Sequence, residues 1–589
     1  MIFFNGVIDL GQQSFSIERL RKRLLVARGE APADLLLRGG RVVDLFNLDI
    51  FEANVAVADG MIAAVGPEYN EGLEIKEING KLVAPGLIDA HLHVESTLLM
   101  PSELARVIIR HGTTAVIHDP HEIANVLGPE GVTLMLEASG NLPCDFFATV
   151  PSCVPATAVE TAGGEIDAEE AARLLAMPGV IGLGEMMNYP GLIGGDEDVL
   201  KKVSLAEAAG KVIDGHAPGL GGTELQAYLS AGIATDHECI TADEALEKLR
   251  SGMKVIIRHG SATSSLAELL PLVNRANCAS FMFGSDDREA GELIEKGHLN
   301  DILRTAVSLG ADPLLMIKIA TFNPASHYRL YNRGAVAPGY RADLVIFNNL
   351  KDFRADLVIK DGLTAALNGR NASGFSKYDI PQYAINTINI KRPLKDEDFA
   401  LHYPPGPVPV IGVIPGQLIT EKLFLNIERA ADGHIQAGLL SDINKIAVVE
   451  RHRKSGAIGI GLIRGIGLER GALASSVAHD SHNLIVVGAS EKAMAAAANE
   501  LARLGGGFVA VDENAKVEAA LPLPVAGLMS TEKAEPVAEK MTAVLAAAQE
   551  LGSDLPQPFL TLSFMALPVI PSLKITDRGL FDVDKFTFL

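Results

Sequence analysis

The chain has 589 residues, 48% of them apolar and 21% charged, which excludes a disordered chain and implies several domains, because single cores stop growing well below this length. The formal charge of −22 argues against nucleic acid as a partner, since holding phosphates takes clustered Lys and Arg. No basic leader with an apolar segment opens at Met1 and no run of about 18 apolar residues follows, so the expected place is the cytoplasm, with no membrane contact.

In chain order, residues 1–33 read as a helical segment. Residues 34–82 form short β runs, with Asp59-Gly60 between two apolar stretches as a hairpin signal. From Val83 the pattern changes to short apolar strands separated by helix-like stretches. Eight strands are expected to end near His93, Asp119, Val150, Glu185, His216, His237, Arg258 and Asp286. Eight such units over 83–333 fit an α/β fold, a (β/α)8 TIM-like barrel, which gathers active-site groups at the C-terminal ends of its strands. Strand pattern returns over 334–385 and is expected to join that of 34–82 in one small β domain formed from both flanks of the barrel. A Pro-rich stretch at 403–409 marks a boundary, and residues 400–589 are expected to form a C-terminal α/β or α+β domain with a helix from Glu491 to Leu504. The Gly-rich run Gly456-Ala-Ile-Gly-Ile-Gly461 lacks the Lys-Ser/Thr and the following helix that a nucleotide loop needs.

The chemistry gathers at the strand ends. Val83-Ala-Pro-Gly-Leu-Ile-Asp89-Ala-His91-Leu-His93 ends an apolar run in two imidazoles that share a face, and such a pair suits a divalent metal able to turn water into a nucleophile near neutral pH. For a bare His-x-His the plain alternative is a strand end with two exposed histidines. Six of the eight strand ends, however, carry a group that binds metal or moves a proton, where core packing asks only for apolar side chains. Glu185 ends strand four and either bridges two cations or passes a proton beside one. His216 and His237 end strands five and six, and Asp286 ends strand eight. With His91 and His93 these six are ligands enough for two divalent ions, each with an open or bridging water position. Cys144, Cys153, Cys239 and Cys278 form no thiolate pattern and read as reduced core residues, so the metal set is nitrogen and oxygen.

At the end of strand two, Asp119-Pro-His121-Glu122 offers either a second acid, with His121 oriented by Asp119, or an Asp-His pair that fixes a loop. Arg258 and His259 after strand seven either line a pocket or sit on its rim, and Met186 and Asn188 either meet a flat substrate or fill space. His479, Asp480 and His482 belong either to a polar loop that reaches a site or to a simple turn.

This ordered set resembles the metal-dependent amidohydrolase superfamily over residues 34 to about 360, with Glu185 where many members carry a carboxylated lysine. A closer likeness is to the bacterial-type adenine deaminases. It is carried by His91-Leu-His-Val-Glu-Ser96, by Ala115-Val-Ile-His-Asp119-Pro-His121-Glu122-Ile-Ala-Asn125, and by Gly184-Glu-Met-Met-Asn188-Tyr-Pro-Gly191. Asp214-Gly-His-Ala-Pro-Gly219, Thr235-Asp-His-Glu238 and Val477-Ala-His479-Asp480-Ser-His482-Asn483 extend it over nearly the whole length.

The resemblance implies a hydrolase of purine metabolism that turns adenine and water into hypoxanthine and ammonia. It also implies two divalent ions, manganese or iron with zinc as the third candidate, and a homodimer or larger homo-oligomer. A metal-bound hydroxide would attack C6 of adenine, Asp286 would relay the proton to ammonia, and His121 would supply one to N1. Glu122, Met186, Asn188, Arg258 and His259 would face the substrate. The alternative is a cyclic-amide hydrolase of dihydroorotase or hydantoinase type, against which the strand-two phrase and the long C-terminal domain argue. A non-catalytic barrel relative should have lost ligands, and this chain retains all six.

Overall fold

The computed structural model describes residues 10–261, 263–372, 374–375, 377–435 and 442–589. Of the expected amino-terminal helical segment, α1 (Leu10–Ala27) is helix, while residues 1–9 lie outside the described residues. Five strands follow: β1 (Ala33–Asp44), β2 (Asp49–Ala58), β3 (Met61–Gly66), β4 (Gly72–Glu77) and β5 (Leu82–Pro85). The Asp59-Gly60 step is the hairpin turn between β2 and β3, with both residues at positive φ (52° and 75°). That geometry matches the twist of the flanking strands.

The next eight strands run parallel. β6 (Leu87–Leu92), β7 (Thr113–His118), β8 (Asp145–Val150), β9 (Val180–Met186) and β10 (Val212–Gly215) form one sheet. β11 (Thr235–Asp236), β12 (Lys254–Arg258) and β13 (Phe281–Gly284) form another. They are buried almost throughout, because helices cover their outer faces, and this is why they read as continuous apolar runs rather than alternating ones. Each ends within two residues of its expected position.

The two sheets touch at both margins. Ala234 N donates to Ile213 O (2.9 Å) beside β10, and Asp286 N donates to His91 O (3.0 Å) beyond β13, with Leu92 and Asp286 in parallel register. The second contact needs Gly284, because a Cβ there would lie 2.9 Å from Ile256 Cγ2 and 3.0 Å from His91 O.

Strands β14 (Leu344–Phe347), β15 (Ala355–Lys360), β16 (Leu363–Leu367) and β17 (Arg370–Asn371) then fold back. β14 pairs antiparallel with β5, so residues far apart in sequence share one nine-stranded sheet in the order β17-β16-β15-β14-β5-β1-β2-β3, with β4 beside β1.

The carboxyl-terminal half is built on an eight-stranded sheet reaching from Val408–Val413 to Val517–Pro522. Helix Glu491–Leu504 covers it, started by the Ser490 side chain accepting Ala493 N–H and stopped by Gly505 at φ 78°. This half docks on the loops at the ends of the parallel strands. Ser530 N donates to Leu98 O (2.8 Å), Asp577 accepts from Thr161 N and Oγ1 (3.0 and 2.7 Å), and Asn483 Nδ2 donates to Thr161 O (2.8 Å). Apolar side chains from both halves, among them Leu98, Leu99, Phe508 and Phe559, form one continuous core cluster. All four cysteines are free and buried, and no helix among the described residues is long and apolar enough to cross a membrane.

Candidate metal centre

Glu185 stands in the middle of a ring of imidazoles. Its carboxylate lies 2.9 Å from His237 Nε2, 3.0 Å from His216 Nδ1, 3.2 Å from His121 Nδ1, 3.8 Å from His93 Nε2 and 3.9 Å from His91 Nε2. Asp286 Oδ1 approaches His93 Nε2 (3.3 Å) and His91 Nε2 (3.6 Å), while its other oxygen accepts from Arg258 Nη1 (2.7 Å). The rings of His91 and His237 stack at 4.0 Å. The six side chains expected from the sequence are thus brought together from β6, β9, β10, β11 and β13, as a parallel arrangement with common strand direction requires.

The donor set fits cations. His91, His237 and Asp286, the trio His91, His93 and Glu185, and the trio Glu185, His216 and His237 each offer ligand atoms within 4.8 Å of one another. Glu185, His91 and His237 each appear in two of these groups, and Glu185 is the anion among them. His91 Nε2 is buried without a hydrogen-bond partner. Burial should strip protons from these imidazoles. Yet Glu238 and Glu185 raise His216 to about 9 against it, and the Asp286 hydrogen bond with the Glu185 charge carries His93 well above the usual histidine range. Burial likewise works against an ionised Glu185, but His216 and His237 hold it well below the ordinary carboxylate range. Groups that draw positive charge into a buried space are what divalent ions satisfy.

Around this core the supports are charged and buried. Lys248 Nζ donates to Asp236 Oδ2 (2.9 Å), Glu244 Oε1 (2.7 Å) and Ala217 O (2.7 Å), so one ammonium pins both the residue before His237 and the residue after His216. Burial alone would raise the Asp236 carboxyl, but Lys248, followed by His237, holds it at about 2. Lys248→Met is expected to cost about 3–5 kcal/mol by leaving Asp236 buried and unpaired, read from urea unfolding near neutral pH. Because the folded carboxyl is more acidic than the unfolded one, the pair's contribution is complete above about pH 4 and disappears as pH falls toward 2. A loss below 1 kcal/mol would discard this role.

Not every expected residue faces the cluster. Met186 follows Glu185 on β9, so its side chain leaves on the opposite face and packs, fully buried, with Leu183, Val150 and Ala217. Asn188 Oδ1 accepts Gly191 N–H (3.0 Å) and caps the short helix Tyr189–Gly194. His259 Nδ1 pairs with Ser264 Oγ (2.7 Å) within its own loop. Asp119 does not hold His121, whose Nδ1 is 3.9 Å away; its Oδ2 accepts Glu185 N–H (2.9 Å) and so fixes the end of β9. Arg258 does reach the centre, clamped between Asp286 and Glu238.

Glu122 lies beside it, accepting from Ser96 Oγ (2.9 Å), which also reaches Asp287 Oδ1 (2.5 Å). Ser96 and Glu238 escape a reading of single residues. Their only signal in the sequence is that each stands next to, or three residues from, a histidine of the cluster.

The loop from the carboxyl-terminal half also arrives here. The His479 ring lies on Phe564 (4.6 Å, 19°), and His482 Nε2 is 3.7 Å from Glu122 Oε2. Burial and then the charge of Glu185 push the Asp480 carboxyl up to about 7.

Residues 82–365 match the amidohydrolase family, and residues 417–587 match the adenine deaminase C-terminal domain. Over 97% of its length the chain is 47% identical to an adenine deaminase of Dehalococcoides mccartyi, covering 99% of that protein. The chain belongs to the adenine deaminase family. Further relatives in the family are an adenine deaminase of Methanothrix thermoacetophila, 45% identical over 96% of this chain and 98% of its own, and adenine deaminase 2 of Carboxydothermus hydrogenoformans, 45% identical over 95% and 97%. The first matched region holds all six clustered ligands, and the second holds His479, Asp480 and His482.

Proposed function

We propose that the chain is a metal-dependent adenine deaminase, converting adenine and water to hypoxanthine and ammonia on two divalent ions, manganese or iron. The observation that carries this is the Glu185 carboxylate shared among the histidines of β6, β10 and β11, with Asp286 closing the set, in a chain of this family. We read residues 83–333 as one closed (β/α)8 barrel with these groups at its mouth, 34–82 with 334–385 as the small β domain, and 400–589 as the domain that covers the mouth.

His91, His93, Glu185, His216, His237 and Asp286 would hold the ions, which supply Lewis-acid activation of water and of the scissile C6 centre when bound. Asp286 has one oxygen fixed by Arg258 and the other turned to His91 and His93, so it is placed to take a proton from water and return it to the amino group. The C6–O bond forms from water, the C6–N bond breaks, and the departing amino group gains the proton that makes it ammonia. N1 is protonated on the way. His121, buried beside His93 at 4.7 Å between ring centres and held well below the usual histidine range by burial and the His93 charge, would relay that proton through its neutral ring, taking in return the proton left on the C6 oxygen as the carbonyl forms. Asp119 acts by fixing the backbone of Glu185.

Stripping the protein with a chelator is expected to abolish ammonia release from adenine, and two equivalents of manganese or ferrous iron per chain should restore it. Chelator-treated protein that keeps its turnover, or metal-loaded and folded protein that never shows any, overturns the reading.

A further inference from the structure

The loop 477–483 joins two neighbouring strands of the carboxyl-terminal sheet, Ala472–Ser475 and Leu484–Gly488, and its shape is fixed from both sides. Ala478 N donates to His482 Nδ1 (3.1 Å), His482 N donates to Ala478 O (2.7 Å), and His479 N donates to Ser563 O (3.0 Å). Since His482 Nδ1 is an acceptor, its proton sits on Nε2, facing Glu122. His482 Nε2 faces Glu122 Oε2 at 3.7 Å without a hydrogen bond.

Asp480 is 3% exposed, its Oδ2 has no hydrogen-bond partner, and its Oδ1 is 3.8 Å from His479 Nδ1, outside hydrogen-bond range. Its loop reaches the metal centre through His482, whose Nε2 stands 3.7 Å from Glu122 Oε2. A buried carboxyl oxygen without a partner is costly, and a ligand with a matching donor removes that cost. The neighbouring His479 borders a cavity together with Ser96, Asp287, Val477, Phe559 and Ser563. Its walls combine apolar side chains with a few polar groups, as a site for a small aromatic molecule does.

Adenine has two kinds of donor, the exocyclic amino group and a single imidazole N–H. The amino group must go to the metal centre, where it is lost. Above neutral pH a carboxylate only accepts, so the imidazole N–H is the donor left to it. We propose that Asp480 accepts this N–H while the His479 ring, backed by Phe564, forms the wall on which the base lies, so that the loop selects the free base over N9-substituted purines. The inference rests on the deaminase reading. A substituent at N9 removes the N–H, strands the carboxylate and adds bulk, and all three effects act against nucleosides.

The test compares adenine with 9-methyladenine above neutral pH, using manganese-loaded full-length protein. Ammonia release from adenine by the unaltered chain reports on the deaminase reading before any variant is made. The unaltered chain is expected to disfavour 9-methyladenine by at least about 10- to 100-fold in kcat/KM. Asp480→Ala should raise KM for adenine by about the same factor with kcat within a few-fold, keep both metal equivalents, and reduce the preference between the two substrates to a few-fold. Asp480→Asn retains an acceptor oxygen and should recover most of the adenine KM, which also carries the test if the alanine variant fails to fold. Three results overturn the proposal: an unchanged substrate preference in Asp480→Ala, metal loss that parallels the activity loss, or a kcat collapse in Asp480→Asn at normal KM.

Discussion

Glu185→Gln is expected to empty both metal positions together and to lower turnover on adenine by about 10³-fold or more. The substitution keeps the volume and one carbonyl oxygen, but it removes the negative charge and replaces the second oxygen with an amide that cannot ligate a cation. Glu185 belongs to two of the candidate groups, one with His91 and His93 and the other with His216 and His237, so its loss weakens each. His216→Ala supplies the contrast. It removes a ligand from only one group and should cost one metal equivalent while leaving the other in place. Metal content by elemental analysis, set beside ammonia release, separates the two. If Glu185→Gln retains two ions and loses only rate, Glu185 moves protons and does not bridge.

The second large effect belongs to Asp286. Asp286→Asn is expected to cut kcat by about 10²- to 10³-fold while metal content falls much less, because the amide still offers an oxygen toward His91 and His93 but no longer accepts a proton. Burial would make this carboxyl hard to ionise, yet Arg258, followed by the adjacent His91 and His93 imidazoles, holds it well below the ordinary carboxylate range. Arg258 thereby keeps one oxygen fixed and leaves the other oriented. Metal loss in proportion to activity in Asp286→Asn would reduce Asp286 to a ligand and remove it from the proton path.

The clustering of the six side chains was legible because parallel strands covered on both faces leave an unmistakable text. Apolar runs such as Val180-Ile-Gly-Leu-Gly end in Glu185, and the polar residue after each run marks the strand's C-terminal end. Reading the residues around those ends was less secure. Met186 is one position beyond Glu185, and a single step along a strand turns a side chain from the site into the outer core. Asn188 looked available for a substrate, but its amide oxygen is taken by the first free N–H of a short helix, the ordinary task of an asparagine at that position. Asp119 and His121, two residues apart, invited a hydrogen bond, but they stand 3.9 Å apart and the carboxylate went instead to the backbone of the neighbouring strand.

What the sequence determined by itself is everything that local pattern encodes: strand ends, the Asp59-Gly60 turn, the capped helix Glu491–Leu504, and the chemical kind of each ligand. What only the tertiary structure decided is which distant groups meet. β5 and β14 pair across some 260 intervening residues, Arg258 chooses Asp286 and Glu238, and the loop 477–483 lies against Glu122 at the ends of the parallel strands. The physical reason is the same in each case. Hydrogen bonding and side-chain direction repeat over two to four residues and so are written locally, whereas contacts across the fold depend on how whole sheets close and dock, which no short stretch of chain records.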